Sequence, residues 1–192
     1  MKKQILVIHG GNAFKNQKEY LAYLKNLKID IYWSEKWKAK LPVTLGKKFE
    51  VLAPKMPNLM NAKFNEWKIW FEKYFPYLRD NIILLGHSLG GIFLAKYLSE
   101  NKFPKKIMAV FLIAAPCGYV NFELPKNLDK MSKQAGRIFI YHSQDDPIVP
   151  ISEARKYKNL LPEAELVIFK NREHFNQENF PEIVKKIKSL KY

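Results

Sequence analysis

Short apolar runs alternate with segments of helical periodicity along most of the chain. Gln4–Ile8 is continuous and rich in β-branched residues, the pattern of a strand buried on both faces. Phe14–Leu27 predicts a helix with Tyr20, Leu21, Leu24 and Leu27 on one side. Residues 28–48 carry two patterns: Ile29, Ile31 and Trp33 alternate, whereas Trp37, Leu41 and Leu45 follow a helix crossed by Pro42. Phe49–Ala53 predicts a second strand, ended by Pro54 and Pro57. Phe64–Phe75 predicts an amphipathic helix in which Trp67, Trp70, Phe71 and Tyr74 form a core face. Further strands are predicted at Ile82–Leu85, Lys106–Ala114, Arg137–Tyr141 and Glu165–Phe169, and helices at Ile92–Ser99, Ser152–Leu160 and Phe180–Leu190. A polar, proline-containing stretch fills the gap up to Ala135.

Strands and helices in that alternation imply βαβ units: a three-layer α/β sandwich with a mostly parallel, six-stranded sheet. Residues 1–192 read as a single domain, with no repeat or linker to divide them. In such sheets ligands bind beyond the carboxyl ends of the strands. Functional residues should therefore follow strands.

Composition narrows the class. The apolar run Ile5–Ile8 is too short for a signal-peptide core, and Met108–Ala115 falls well short of the ~20 residues of a membrane span. With a single cysteine, Cys117, no internal disulfide framework is available, which suits a reducing cytoplasm. The formal charge of +15 could attract nucleic acid or anionic surfaces. Yet it is built from 29 Lys and only four Arg, scattered along the whole chain. Bidentate phosphate and base recognition favours Arg. The charge thus reads as a solvated surface and speaks against nucleic acid as a partner.

Candidate chemistry lies in the turns after the strands. Gly86-His87-Ser88-Leu89-Gly90 stands between a predicted strand and a predicted helix, and small neighbours let a serine project from such a turn. A serine hydroxyl needs a base, and the base an orienting acid. Asp145 and Asp146 follow the fifth strand; by themselves they would read as a turn or a helix cap. Of the four histidines, His9, His87 and His142 read as strand-end structural residues, while His174 follows the sixth strand. The order Ser88, Asp146, His174 is the Ser…Asp…His order of α/β-hydrolases. Backbone N–H groups of Leu89 and of Gly11, in the loop after the first strand, complete a candidate oxyanion hole, with Asn12 next in line to Gly11. Asn12 and Cys117 are candidate substrate contacts. Arg172 is the basic residue nearest the site in sequence.

His9-Gly10-Gly11, Ala53-Pro54-Lys55-Met56-Pro57, Gly86-His87-Ser88-Leu89-Gly90-Gly91, Asp146-Pro147-Ile148-Val149-Pro150 and His174-Phe175 together resemble an α/β-hydrolase. More narrowly, they resemble the small branch that includes the retinoblastoma-binding serine hydrolases. The resemblance implies Ser88 as nucleophile, Asp146 as acid and His174 as base, without metal or organic cofactor. It implies a compact sheet lacking the superfamily's N-terminal antiparallel hairpin. Where that family usually has glycine before the histidine, this chain has Glu173. Residues 118–135 are too few for a large cap domain, so an open pocket with at most a small lid around Phe122 and Leu124 is expected. Its walls should come from Asn12–Lys15, Met56–Met60 and Cys117–Leu124.

The reading is a cytoplasmic, carboxylesterase-like serine hydrolase acting on a small-molecule ester, thioester or activated amide. A hydrolase-fold binding module without activity and a basic binder of anionic surfaces are the alternatives. Oligomeric state is not legible.

Overall fold

A computed structural model describes residues 2–28 and 36–191. Six strands, β1 (Lys3–Ile8), β2 (Phe49–Leu52), β3 (Ile82–His87), β4 (Ile107–Ile113), β5 (Ile138–Ser143) and β6 (Glu165–Phe169), form one sheet in the order β2-β1-β3-β4-β5-β6. Every pairing is parallel. The chain begins near the middle, steps out to β2, returns past β1 to β3, and then proceeds strand by strand to β6. That reversal sets the carboxyl ends of β1 and β3 side by side while the segments leaving them diverge, which opens a crevice between them.

Seven helices occur among the described residues: α1 (Gln17–Asn26), α2 (Trp37–Leu45), α3 (Phe64–Glu72), α4 (Leu89–Glu100), α5 (Asp129–Gln134), α6 (Ile151–Leu160) and α7 (Pro181–Ser189). Because strand side chains alternate between faces, two cores form. Leu6, Ile8, Leu84, Val110 and Ile140 share one with Trp67 of α3, Phe93 of α4 and Tyr157 of α6. Ile5, Val7, Leu85, Phe111 and Phe139 share the other with Trp37 and Leu41 of α2 and Ile183 and Ile187 of α7. These side chains are almost wholly removed from water, each worth roughly 1.5–3 kcal/mol. The result is the expected three-layer α/β sandwich.

Several expectations needed revision. β3 runs two residues beyond Leu85, because Gly86 and His87 pair with Leu112 and Ile113 of β4. The helix crossed by Pro42 forms, whereas the alternation of Ile29, Ile31 and Trp33 lies outside the described residues. Trp70 is 43% exposed: Phe64, Trp67 and Phe71 occupy the inward stripe of α3, and Trp70 sits at its edge. That helix stops at Glu72, short of Phe75, and a separate 3₁₀ turn carries Pro76. The apolar side of α1 reaches neither core; none of its residues is buried and Leu21 stays 46% exposed. Periodicity reports that a face exists, not what covers it. α5 was unforeseen within the polar stretch, where Met131 alone anchors it to the core. Phe122 is no lid: it is fully buried, edge-on to Phe64 and Trp67, and Leu124 packs against the same core.

Candidate active site

Ser88 sits between β3 and α4 with φ 54° and ψ −122°, a conformation that L-residues adopt only under strain. Sheet and helix hold it there. Its N–H donates to the Ile113 carbonyl on β4 (2.8 Å), and its own carbonyl accepts the Gly91 N–H (2.8 Å). Two glycines permit the turn by close approach. A Cβ on Gly86 would collide with the Gly90 backbone, and one on Gly90 with the carbonyls of Ile8 and His9. Leu89 opens α4, so its N–H has no acceptor within the helix and points out at the positive end of the helix dipole.

The loop after β1 passes directly beside this turn. A Cβ built on Gly10 would lie 3.1 Å from Ser88 Cβ, and one on Gly11 would lie 3.3 Å from a Leu89 methyl. Gly11 and Leu89 are thus neighbours, as a shared oxyanion hole requires. The Asn12 N–H is committed to the Leu59 carbonyl (2.8 Å), and its side chain donates to Tyr23 Oη (3.1 Å). Asn12 is therefore withdrawn as an alternative N–H donor, although it still lines the cavity.

On the other flank, Asp146 and His174 come together from segments 28 residues apart. His174 Nδ1 lies 2.9 Å from Asp146 Oδ2 and 3.1 Å from Oδ1. The Asp146 side chain is fully buried, and Oδ1 also accepts the N–H groups of Ile148 (2.8 Å) and Val149 (2.9 Å). Burial pushes this carboxyl upward, but the bonds from His174, Val149 and Ile148 outweigh it and hold the group below its ordinary value.

Asp145 does something different. Its Oδ1 accepts the Ser143 hydroxyl (2.5 Å) and the Glu173 N–H (2.9 Å), while Ser143 Oγ accepts the Arg172 N–H (2.9 Å). These bonds, led by the one from Ser143, hold the Asp145 carboxyl low and clamp the backbone just before His174. Glu173 needs that clamp. It adopts φ 45°, the left-handed region that glycine enters without strain, and Phe175 on the other side adopts φ 53°.

The three remaining histidines are structural. His9 Nε2 accepts the Met56 N–H (2.8 Å), and His142 Nε2 bonds the Val149 carbonyl (2.8 Å). His87 Nε2 bonds the His174 carbonyl (2.8 Å), which ties the elbow to the histidine loop. Burial pushes all three imidazoles below their ordinary value.

Ser88, Leu89, Gly11, Asn12, Cys117 and His174 all line one cavity of about 590 Å³ beyond the strand ends. Met56–Met60 are absent from its walls and border a separate depression with Tyr20. Ile148, Glu153, Lys156, Asn176 and, above all, Lys38 do line it without having been anticipated. Arg172 turns away, paired with Glu182 and lying over the rings of Phe169 and Phe180. Cys117 donates its N–H to Glu153 Oε2 (2.8 Å), and burial pushes its thiol up to about 11. Among the described residues no helix is long and apolar enough to cross a membrane.

Comparison with known proteins bears on the fold and the family. The chain is 27% identical to serine hydrolase RBBP9 of Rattus norvegicus over 153 residues, covering 74% of this chain and 78% of the relative. Its fold is similar to that of the ydeN gene product from B. subtilis, with a TM-score of 0.75 at 19% identity and 98% of each chain covered. It is also similar to a thioesterase domain from the curacin biosynthetic pathway, with a TM-score of 0.66 at 11% identity, 98% of this chain and 92% of that one. At those identities the two structures speak for an α/β-hydrolase fold alone. The family model described as Serine hydrolase matches residues 28–188, most of the chain, and the chain belongs to that family.

Proposed function

We propose that this protein hydrolyses a carboxylic ester, thioester or activated amide through an acyl-enzyme formed on Ser88. The observation that carries the reading is the Asp146–His174 pair, whose His174 lines the same cavity as a serine held in a strained elbow. With Nδ1 committed to Asp146, Nε2 is the nitrogen of His174 left to take the Ser88 proton. Ser88 Oγ then bonds to the substrate carbonyl carbon, and the carbonyl oxygen becomes an oxyanion facing the N–H groups of Leu89 and Gly11. Collapse of that intermediate breaks the bond to the leaving group, which departs with the proton from His174. Water, deprotonated by His174, repeats the sequence on the acyl-enzyme and releases the acid, restoring Ser88. Asp146 keeps the imidazole in the required tautomer and stabilises its cation. Cys117 and Asn12 border the substrate. The free thiol of Cys117 fits a reducing compartment, and the activity is assigned to the cytoplasm.

A serine-directed fluorophosphonate tests this reading. It should label the wild type and leave Ser88→Ala unlabelled at an unchanged melting temperature. Label that persists on Ser88→Ala would sink it. A panel of acyl esters of graded chain length then defines the acyl preference.

A further inference from the structure

Lys38 is brought to the cavity from far away in sequence. It stands in the first turn of α2, which is sewn to the histidine loop: Trp37 Nε1 donates to the Phe175 carbonyl (2.8 Å) and the Trp37 N–H to the Gln177 carbonyl (3.2 Å). The Trp37 ring is buried, edge-on to His87. From that fixed base the Lys38 ammonium reaches the cavity wall, 5.0 Å above the Trp37 ring centre and 3.2 Å from His87 Nδ1.

Among the described residues its charge is not matched. The other two charged groups of the cavity, Glu153 and Lys156, pair with each other at 2.6 Å. Among the described residues no carboxylate stands within ion-pairing distance of Lys38, whose one hydrogen-bond partner is a neutral imidazole. An ammonium carries three donors, so two are left for whatever enters the cavity. Desolvating a cation without a counter-charge is costly. Burial first, and then repulsion by Lys36, accordingly push this lysine down to about 8.

We infer that Lys38 is a specificity-determining residue that binds an anionic oxygen group, a carboxylate or phosphate, on the substrate being hydrolysed at Ser88. The inference rests on the proposed hydrolase reading and names the substrate class for it. An anion seated against Lys38 supplies the counter-charge that no described residue provides at ion-pairing distance. Neutral esters leave the cation uncompensated. The +15 surface is a separate matter: it acts at long range and is screened by salt.

Pairs of esters differing in one charge test the assignment. One series compares the mono-4-nitrophenyl esters of succinate and glutarate with 4-nitrophenyl butyrate and valerate, placing the charge on the acyl side. The other compares 4-acetoxybenzoate with phenyl acetate, placing it on the leaving group. In at least one series the wild type should favour the anionic member in kcat/KM by about ten-fold or more, the scale of a charge-assisted hydrogen bond. Lys38→Met should collapse that ratio towards one, and Lys38→Arg should retain most of it. Because both esters are measured on one preparation, a reduced folded fraction cancels. The ratio should also fall as pH rises past about 8, where Lys38 loses its proton. The titratable groups facing Lys38, His9, His87 and His174, act on both esters of a pair, while Lys36 caps α2 beside it and Glu153 and Lys156 line the same cavity. No anionic preference, or one that persists in Lys38→Met and vanishes in about 0.5 M salt, would overturn the assignment in favour of surface lysines. Hydrolysis of neither ester, with no fluorophosphonate label, would instead overturn the hydrolase reading beneath it.

Discussion

The elbow around Ser88 and the loop around His174 both carry residues in left-handed conformations, yet they are held in opposite ways. At the elbow, six consecutive residues nearly suffice: Gly86 and Gly90 make the turn sterically allowed, and β3 and α4 continue on either side. The histidine loop has no glycine. Glu173 and Phe175 accept positive φ because distant groups hold the backbone: Asp145 takes the Glu173 N–H, Trp37 donates to the Phe175 carbonyl, and His87 bonds the His174 carbonyl. A local motif builds one half of the site, and tertiary contacts build the other. Damage should therefore spread differently from each.

The largest expected effect is at the elbow itself. Ser88→Ala should lower turnover of an activated ester by about 10⁶, since only binding and the oxyanion hole remain, without moving the melting temperature. Near-normal turnover would remove the elbow from the chemistry. Asp146→Asn should cost about 10⁴ by imposing the wrong tautomer on His174.

Asp145→Ala probes the clamp alone. It removes the acceptor for Ser143 and Glu173 but leaves Asp146 untouched, so roughly ten-fold in kcat/KM is expected from a displaced imidazole. Equal losses from Asp145→Ala and Asp146→Asn would erase the distinction between orienting the ring and holding its loop.

Acid should strain both halves together. His9, His87 and His142 are all held below the ordinary 6.5 when folded. Below that value the unfolded chain takes up protons that the folded protein refuses, so stability falls as pH falls, by up to about 1.4 kcal/mol per pH unit for each group. The melting temperature should drop between about pH 7 and pH 5, and His142→Gln should flatten the slope. A flat profile in the wild type would mean that these rings are not held neutral by burial. Asp146, held low, adds its own loss only below about the ordinary 3.8. The smallest effect belongs to Glu173→Gly, which should stabilise the protein by about 1 kcal/mol by relieving the left-handed strain. Destabilisation measured by urea melts would show that the side chain of Glu173 has a task of its own.

What the sequence disclosed follows the same division. The strands were legible because each is a short apolar run, and the split into two cores follows from alternation along them. The turn at Gly86–Gly90 was legible because its spacing is itself the geometry, whereas Asp146 stood out from Asp145 only through the order of residues and the family resemblance. Lys38 was not, because nothing near residue 38 says that α2 docks against the loop after β6; only Trp37 in its place reveals that. The clamp by Asp145 was hidden for the same reason, since its partner lies 28 residues on. Phe122 was misread as a lid because a hydrophobic residue in a polar stretch carries no label for inward or outward. The uncovered side of α1 is the converse error: a correct period attached to the wrong assumption of burial.

The wholly parallel sheet also sets a timetable. Each strand pair closes only after a crossover has been made, which is the slow kind of topology. β6 lies at one edge, pairs with β5 alone, and is the final strand in chain order. On a ribosome, Ser88 and its elbow can therefore settle against β1 and β4 while the segment carrying His174 is still unmade. Under the proposed function, Ser88 then lacks its base until the segment after β6 docks. Under that function, fluorophosphonate reactivity that appears during synthesis is a clock for docking of the segment after β6, and not for the pairing of β1, β3 and β4.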